Sequence, residues 1–249
     1  MPHLSVITIN RNNAAGLQKT IGSVFAQTFK NFEYIIIDGG STDGSLAVIE
    51  SVKDKTTYWV SEQDKGIYNG MNKGITQAKG AYLFFLNSGD CFASEQVLQQ
   101  FFGDSSQRNA DVLAGNVIVE GHVKKGYEKI SLFKILEYSI THQSLFLKRS
   151  LFTLYGYYDE SYPINADINH LILCLTRHNA SYLYKDINLC IMEPGGISSI
   201  DSETNKKLRK QFMEKEFPMI AEDYIALIKY KRKDIPNRVR NMIGRKLKF

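Results

Sequence analysis

Short apolar segments alternate with segments of helical periodicity along residues 1–90, and most of the apolar segments end in polar residues. The apolar segments are 4–9, 32–38, 57–61 and 81–86, and the helical ones are 14–28, 45–51 and 67–78. Apolar runs of this length, rich in β-branched residues, are typical of buried strands. Strands separated by helices pair in parallel through right-handed crossovers. The sequence therefore predicts an α/β fold with a mostly parallel central sheet flanked by helices.

The remainder of the chain is less regular. We expect strands at 112–120, 144–148, 182–184 and 187–192, and helices at 131–139, 166–177, 203–216 and 219–231. A length of 249 residues fits one α/β domain with a small appendage.

Cysteine content and hydropathy exclude several classes of protein. Cys91, Cys174 and Cys190 are too few and too widely spaced for a disulfide framework or a zinc site, so we expect reduced core residues. No stretch approaches the roughly 20 apolar residues of a membrane span, and no basic segment followed by an apolar run opens the chain. We therefore expect a cytoplasmic protein that does not span the membrane.

Polar clusters follow three of the predicted strands, at the carboxyl ends where parallel sheets bind ligands. Asp38 ends the second strand and precedes two glycines, so it could accept a hydrogen bond from a nucleotide base. Turn chemistry alone would also explain the following 41–44 segment. Asp64 and Lys65 precede the helix at 67–78, where a phosphate would find a helix N-terminus and a cation, although capping residues look the same.

The third cluster is Asn87-Ser88-Gly89-Asp90, directly after the fourth strand. Mg²⁺ and Mn²⁺ prefer oxygen ligands and commonly join one or two carboxylates to substrate phosphates, so Asp90 could bind such an ion. A plain β-turn is the alternative interpretation.

The ordered set of these clusters resembles family 2 of the glycosyltransferases, which has the GT-A fold. The resemblance runs from about residue 4 to residue 200 and is specific through the order and spacing of its strings. These strings are 8–12, 36–44, 64–68, 71–74, 85–90, His142-Gln143, 156–159, 166–167 and 195–198. The metal-binding string of the family usually reads Asp-x-Asp with a further Asp, whereas Asn87, Gly89 and Asp90 occupy these positions here.

The resemblance implies a role for each matching residue. Asp167 would be the catalytic base, and Asp90 would help to bind Mn²⁺ or Mg²⁺ against the donor diphosphate. The remaining residues would bind a nucleotide-sugar donor, with a UDP-sugar favoured: Asn10, Arg11, Asp38, Asp64, Lys65, Asn72 and Asn87. The domain would span 1–218, with a nucleotide-binding half at about 1–110 and an acceptor half at about 111–218, followed by a basic helical appendage at 219–249.

Three residues of the second half have two interpretations each. Asp167 lies at the start of the helix at 166–177, where an acidic residue also favours the helix dipole, but its position suits a base beside an attacking hydroxyl. His142 and Gln143 lie at a loop-to-strand junction, where they could serve the acceptor or donor site. A hydrogen-bonded core histidine is the alternative for His142.

The function implied by the resemblance is inverting transfer of a sugar to a hydroxyl acceptor, with a lipid-linked glycan of surface-polysaccharide biosynthesis as the expected acceptor. A nucleotidyltransferase and a non-catalytic nucleotide-sugar-binding protein remain alternatives. Neither a Walker phosphate loop nor a GxGxxG string occurs in the sequence, which disfavours kinases and dehydrogenases.

Charge is concentrated at the carboxyl end of the sequence. Residues 229–249 contain nine Lys or Arg against Asp234 alone, a net +8 in a chain whose total is +5. Apolar residues alternate with these cations, which is typical of a helix lying on an anionic membrane surface. A solvated helix is the alternative, and no base-stacking module accompanies the segment, so we expect no nucleic-acid partner.

Overall fold

In the computed structural model, the first half of the chain contains four parallel strands joined by helices. The elements are β1 (Leu4–Asn10), α1 (Ala14–Phe25), β2 (Phe32–Asp38), α2 (Ser45–Glu50), a 3-10 turn (Lys53–Lys55), β3 (Tyr58–Ser61), α3 (Ile67–Gln77) and β4 (Tyr82–Phe85). Their order in the sheet is β3-β2-β1-β4, and all three pairings are parallel. β1 is buried at every position, as expected for a parallel strand covered on both faces.

The second half adds strands to the β4 side of the same sheet. Its elements are β5 (Cys91–Phe92), α4 (Val97–Phe102), β6 (Val112–Val119), β7 (His122–Lys124), α5 (Leu132–Tyr138), a 3-10 turn (His142–Ser144), β8 (Leu145–Lys148), α6 (Ser150–Tyr155), α7 (Ala166–Arg177) and β9 (Tyr182–Met192). The order continues from β4 as β8-β6-β9-β5, with β7 beside β6. β8 pairs antiparallel to both β4 and β6, whereas β6 and β9 are parallel.

Four short elements, β5, α4, β7 and α6, were not expected from the sequence, and two of the expected elements have different bounds. The strands expected at 182–184 and 187–192 form one strand, β9, which follows β6 through register shifts near Asn116. Helix α1 ends at Phe25 rather than near 28, because Gln27 is buried and its amide hydrogen-bonds the backbone of Ser94 and Leu98.

The structure describes residues 2–104, 110–138, 140–195, 202–223 and 226. It forms two compact units, Met1–Ile200 and Asp201–Phe249, and the predicted boundary at 218 stays a prediction. In the second unit α8 spans Ser202–Glu216, and residues 218–223 are also helical. The basic segment 229–249, like the 196–198 part of the family string, lies outside the described residues. None of the helices within those ranges combines the length and hydropathy that crossing a membrane requires.

The core on one side of the sheet is aromatic. Phe84 packs on Phe146 with ring centroids 4.6 Å apart. Phe101 and Phe102 of α4 also pack on the Phe146 ring, with centroid distances of 5.0 and 4.9 Å. All three cysteines are buried and unpaired. On the other side Gly74 of α3 lies against Ile7, where a Cβ would come within 2.5 Å of the Ile7 Cγ2 atom. Close packing on both sides fixes the loops beyond the strand ends.

Candidate active site

β1, β2 and β3 end side by side, and we call this the carboxyl edge, defined by Asn10, Asp38 and Ser61. The parallel register pairs Asn10 with Asp38 and Asp38 with Ser61. Asn10 Nδ2 donates to Asp38 Oδ1 at 2.6 Å, and the Ser61 hydroxyl donates to Asp38 Oδ2 at 2.6 Å. Ser41 in the following turn adds its hydroxyl to Oδ1 at 2.5 Å and its backbone N–H to Oδ2 at 2.9 Å.

The Asp38 carboxylate is therefore buried and saturated by its own chain. A carboxylate has about four lone-pair sites, and four donors of this chain occupy them. Burial alone would raise the pKa of Asp38, but the hydrogen bonds from Ser41, Ser61 and Asn10 hold it below its ordinary value. A base N–H at Asp38 would have to replace one of these donors.

Arg11 and Asp64 flank Gly39, beside the carboxyl edge. A Cβ built at Gly39 would lie 3.2 Å from Asp64 Oδ2 and 3.5 Å from Arg11 Cδ. Lys73 Nζ forms an ion pair with Asp64 Oδ1 at 2.5 Å and with Glu62 at 2.7 Å. The structure thus brings these predicted donor residues together.

Two other predicted donor residues lie apart from this group. The side chain of Lys65 is exposed to solvent. The Asn72 amide braces the 158–160 segment, since Nδ2 donates to Tyr158 O and Glu160 Oε1, both at 2.9 Å, and Oδ1 accepts from Tyr158 N. Both amide hydrogens of Asn72 are consumed, so this geometry does not support its expected contact with a donor.

The 87–90 turn (Asn87-Ser88-Gly89-Asp90) continues β4 along the end of β1. Ser88 N donates to Ile9 O at 3.1 Å. Gly89 adopts a left-handed conformation with φ 101°, and its N–H donates to the Thr20 hydroxyl of α1. The same hydroxyl donates to Asp90 O at 2.7 Å. Strand β1 and helix α1 therefore hold the turn between them.

Asp90 is buried in this turn, 4% exposed. Its Oδ2 accepts from Gln143 Nε2 at 2.9 Å, and its Oδ1 accepts from the backbone N–H of Glu193 at 2.8 Å. Burial raises the pKa of Asp90, and these hydrogen bonds offset only part of the rise. With one protein donor on each oxygen, the carboxylate keeps lone pairs for a cation.

Asp167 lies in the first turn of α7, after Asn165, which has a left-handed backbone with φ 70°. Tyr68 OH donates to Asp167 Oδ1 at 2.8 Å, and His142 Nδ1 lies 2.9 Å from Oδ2. Burial would raise the pKa of Asp167, but the hydrogen bond from His142, helped by that from Tyr68, holds it below its ordinary value. The side chain is 12% exposed, so an ionised carboxylate remains within reach of a ligand.

The 3-10 turn at His142–Ser144 contacts both Asp167, the predicted base, and Asp90, the predicted metal ligand. His142 contacts Asp167, and the next residue, Gln143, contacts Asp90. Asn87 Nδ2 lies 3.1 Å from His142 Nε2, so Nε2 accepts and the ring proton on Nδ1 is donated to Asp167. Asn87 Oδ1 is then buried, and no group within the described residues donates a hydrogen bond to it.

Two residues of the site, Tyr68 and Glu193, could not be recognised from the sequence because their partners are distant along the chain. Tyr68 belongs to the 64–68 string, but its contact with Asp167 spans 99 residues of sequence. Glu193 follows β9 and reaches Asp90 across 103 residues. Burial and the Asp167 carboxylate raise the pKa of Tyr68 far above its ordinary value, so Tyr68 stays a hydrogen-bond donor.

Several known proteins are similar to this chain in sequence. An uncharacterized glycosyltransferase of Mycobacterium tuberculosis (strain H37Rv) is 36% identical over 176 residues, which cover 67% of this chain and 66% of the relative. A PGL/p-HBAD biosynthesis glycosyltransferase of Mycobacterium bovis (strain BCG / Pasteur) is 29% identical over 217 residues, covering 83% of this chain and 84% of the relative. The chain thus spans slightly under two thirds of the first of these relatives.

Solved structures share the fold, and the family model matches most of the chain. S. aureus TarS 1-349 in complex with UDP-GlcNAc superposes with a TM-score of 0.70 at 18% identity, covering 85% of this chain and 65% of the TarS 1-349 chain. The mannosyltransferase PcManGT of Pyrobaculum calidifontis, in complex with GDP-Man and Mn2+, gives 0.59 at 14% identity, covering 84% and 60%. These likenesses confirm the α/β fold of the GT-A type. The model of Glycosyl transferase family 2 matches residues 5–179, and the chain belongs to this family.

Proposed function

We propose that this chain is an inverting glycosyltransferase that moves a sugar from a nucleoside diphosphate donor, with UDP favoured, to a hydroxyl acceptor. One observation carries the proposal. The Asp167 carboxylate is held by Tyr68 and His142 in an ionised state, and the turn that holds it also binds Asp90. Family membership supports the same conclusion.

In this proposal the nucleoside lies at the carboxyl edge. Asn10, Arg11 and Asp64 line the pocket, and Asp38 shapes it through its four hydrogen bonds. The side chain of Lys65 is exposed, so it can move to contact the anionic diphosphate when the donor binds.

A divalent cation, Mn²⁺ or Mg²⁺, fits the 87–90 turn. Asp90 has lone pairs on both oxygens, and Asn87 Oδ1 is a buried acceptor that no described residue bonds. Together they offer the oxygen ligands that hard cations prefer. Within the described residues no three His, Cys, Asp or Glu are grouped to hold a metal, so donor phosphates would complete the shell. When bound, the ion would neutralise charge on the leaving diphosphate.

The chemical step is a direct displacement. The acceptor hydroxyl oxygen forms a bond to the anomeric carbon while the bond from that carbon to the β-phosphate oxygen breaks. The acceptor proton goes to Asp167, and the electron pair of the broken bond leaves with the nucleoside diphosphate. His142 and Tyr68 position the base through their hydrogen bonds to its two oxygens. Attack from the face opposite the leaving group inverts the anomeric configuration.

Product analysis tests the reaction class. The purified chain is incubated with a panel of nucleotide-sugars and candidate acceptors, with Mn²⁺, with Mg²⁺ and with chelator. We expect nucleoside diphosphate release that depends on acceptor, and an inverted anomeric centre by NMR of the product. Release of pyrophosphate from a nucleoside triphosphate would instead indicate a nucleotidyltransferase. Donor binding with no release under any condition would indicate a non-catalytic binder.

We also propose that the acceptor is a lipid-linked glycan and that residues 229–249, within an appendage at 219–249, bind the inner membrane face peripherally. The support is the net +8 of this segment with its interleaved apolar residues. The full chain should co-sediment with liposomes of anionic lipid and should bind neutral liposomes less. Equal co-sedimentation of a chain ending at 228 would contradict the membrane role.

A further inference from the structure

Glu193 covers the 87–90 turn from the end of β9. Its backbone N–H donates to Asp90 Oδ1 at 2.8 Å, and its Oε2 accepts from Asn13 Nδ2 at 3.1 Å. Asn13 Nδ2 also donates to Ser88 O at 3.3 Å, and Asn13 Oδ1 caps α1 through Gly16 N. The Glu193 carboxylate is thus tied to the turn and to the start of α1.

Gly89 provides the space in which this carboxylate lies. A Cβ built at position 89 would overlap Glu193 Oε2, and the left-handed backbone of Gly89 also disfavours any side chain. The volume beside Asp90 that a side chain at position 89 would fill is therefore occupied by a carboxylate from another element. Glu193 contacts Asp90 through its backbone N–H and the 87–90 turn through its carboxylate. The carboxylates of Glu193 and Asp90 therefore lie within one side-chain length of each other.

We propose that Glu193 is, with Asp90, a second carboxylate ligand for the divalent cation that accompanies the nucleoside diphosphate. This inference rests on the proposed function. Magnesium and manganese sites of this kind use one or two carboxylates plus phosphate oxygens, and the 87–90 turn itself supplies only Asp90. Among the residues that the structure describes, Glu193 Oε1 has no hydrogen-bond partner, which leaves it available to a cation.

A buried acceptor in the same turn independently indicates a ligand. Asn87 Oδ1 is excluded from solvent and receives no hydrogen bond from the part of the chain that the structure describes, although the amide nitrogen contacts His142. Buried acceptors are normally satisfied, and a cation or a cation-bound water would satisfy this one. Asp90, Glu193 and Asn87 would then present three protein oxygens from one turn and the adjacent strand end.

The test is Mn²⁺ affinity, followed by the EPR signal of free Mn²⁺, in the presence of UDP and separately of GDP. Glu193→Gln keeps the side-chain length, an oxygen that can accept from Asn13, and the backbone N–H to Asp90. A bracing role alone therefore predicts unchanged affinity. We expect Mn²⁺ binding to weaken by about tenfold or more. The matched control is Glu95→Gln, an exposed glutamate away from the turn, which should leave Mn²⁺ affinity unchanged.

Nucleotide binding separates this inference from the proposed function. UDP and GDP binding are measured on the wild type by calorimetry with Mn²⁺ and with chelator, and thermal unfolding checks the fold of each variant. Failure of the wild type to bind either nucleotide would contradict the proposed function. Nucleotide binding with equal Mn²⁺ affinity in wild type and Glu193→Gln would overturn the role of Glu193 alone. If that variant does not fold, Glu193→Asp, which withdraws the carboxylate by one methylene, is used with the same criterion.

Discussion

Replacing His142 with alanine should raise the pH below which Asp167 is protonated and catalysis fails. His142 Nδ1 lies 2.9 Å from Asp167 Oδ2, and its hydrogen bond is the main reason why the pKa of this buried carboxyl is low. In the variant the burial remains and Tyr68 is the remaining side-chain donor. The pKa of Asp167 should therefore rise, and catalysis that needs the ionised carboxylate should fail at a higher pH.

The size of the effect follows from the hydrogen bond that is lost. A hydrogen bond to a charged group contributes about 1.5–3 kcal/mol, and about 1.4 kcal/mol corresponds to one pKa unit. The acidic limb of kcat/KM should thus move upward by about one to two pH units. A depressed pKa contributes stability above the unfolded carboxyl value of about 3.9, which is lost as the pH falls through the folded value. His142→Ala should therefore be less stable than wild type at neutral pH, and the difference should narrow on acidification.

The assay is nucleoside diphosphate release at subsaturating donor from about pH 4 to about pH 8. His122→Ala is the control, because His122 is an exposed residue of β7. Its pH profile should match that of the wild type. An acidic limb that stays at the wild-type position in folded His142→Ala would refute the assignment of His142 as the group that positions and ionises Asp167.

Two further predictions concern the scaffold of the site. Ser61→Ala removes a donor from buried Asp38, so the free energy of unfolding at neutral pH should fall by about 1–3 kcal/mol, and the loss should shrink as the pH drops below the ordinary carboxyl range. Equal stability in urea at pH 7 would contradict this. Gly74→Ala places a methyl group 2.5 Å from Ile7 Cγ2, so overpacking should cost about 1–3 kcal/mol, whereas a neutral result would show that α3 shifts freely on β1.

The regular first half of the fold could be predicted because local signals and tertiary packing agree. β2 (Phe32–Asp38) has the bounds that its apolar run predicts. In the second half, α7 (Ala166–Arg177) also has the bounds that its apolar periodicity predicts. β9 could not be predicted as one strand, because Lys185 and Asp186 interrupt its apolar pattern. The Asp186 carboxylate accepts a hydrogen bond from Asn116, and the Lys185 ammonium group lies over the Phe101 ring. Helix α4 (Val97–Phe102) has no counterpart among the elements expected from the sequence.

Some contacts of the candidate site could likewise be predicted from the sequence, and others could not. The family resemblance implies one donor pocket for Asn10 and Asp38, and the parallel register of β1 and β2 pairs them. The contact of His142 with Asp167 spans 25 residues, and it forms because the turn after α5 meets the start of α7. No local pattern encodes such a meeting. Glu193 is a comparable case, since its approach to the 87–90 turn depends on where β9 ends.

The most direct test of the central claim is Asp167→Asn, which keeps the shape of the side chain and removes its capacity to accept the acceptor proton at neutral pH. Donor affinity is measured by calorimetry with the nucleotide-sugar, and transfer by product formation under the same conditions. We expect unchanged donor affinity and a transfer rate lower by about 10²–10⁴-fold. Near-normal transfer by Asp167→Asn with unchanged donor binding would contradict the account.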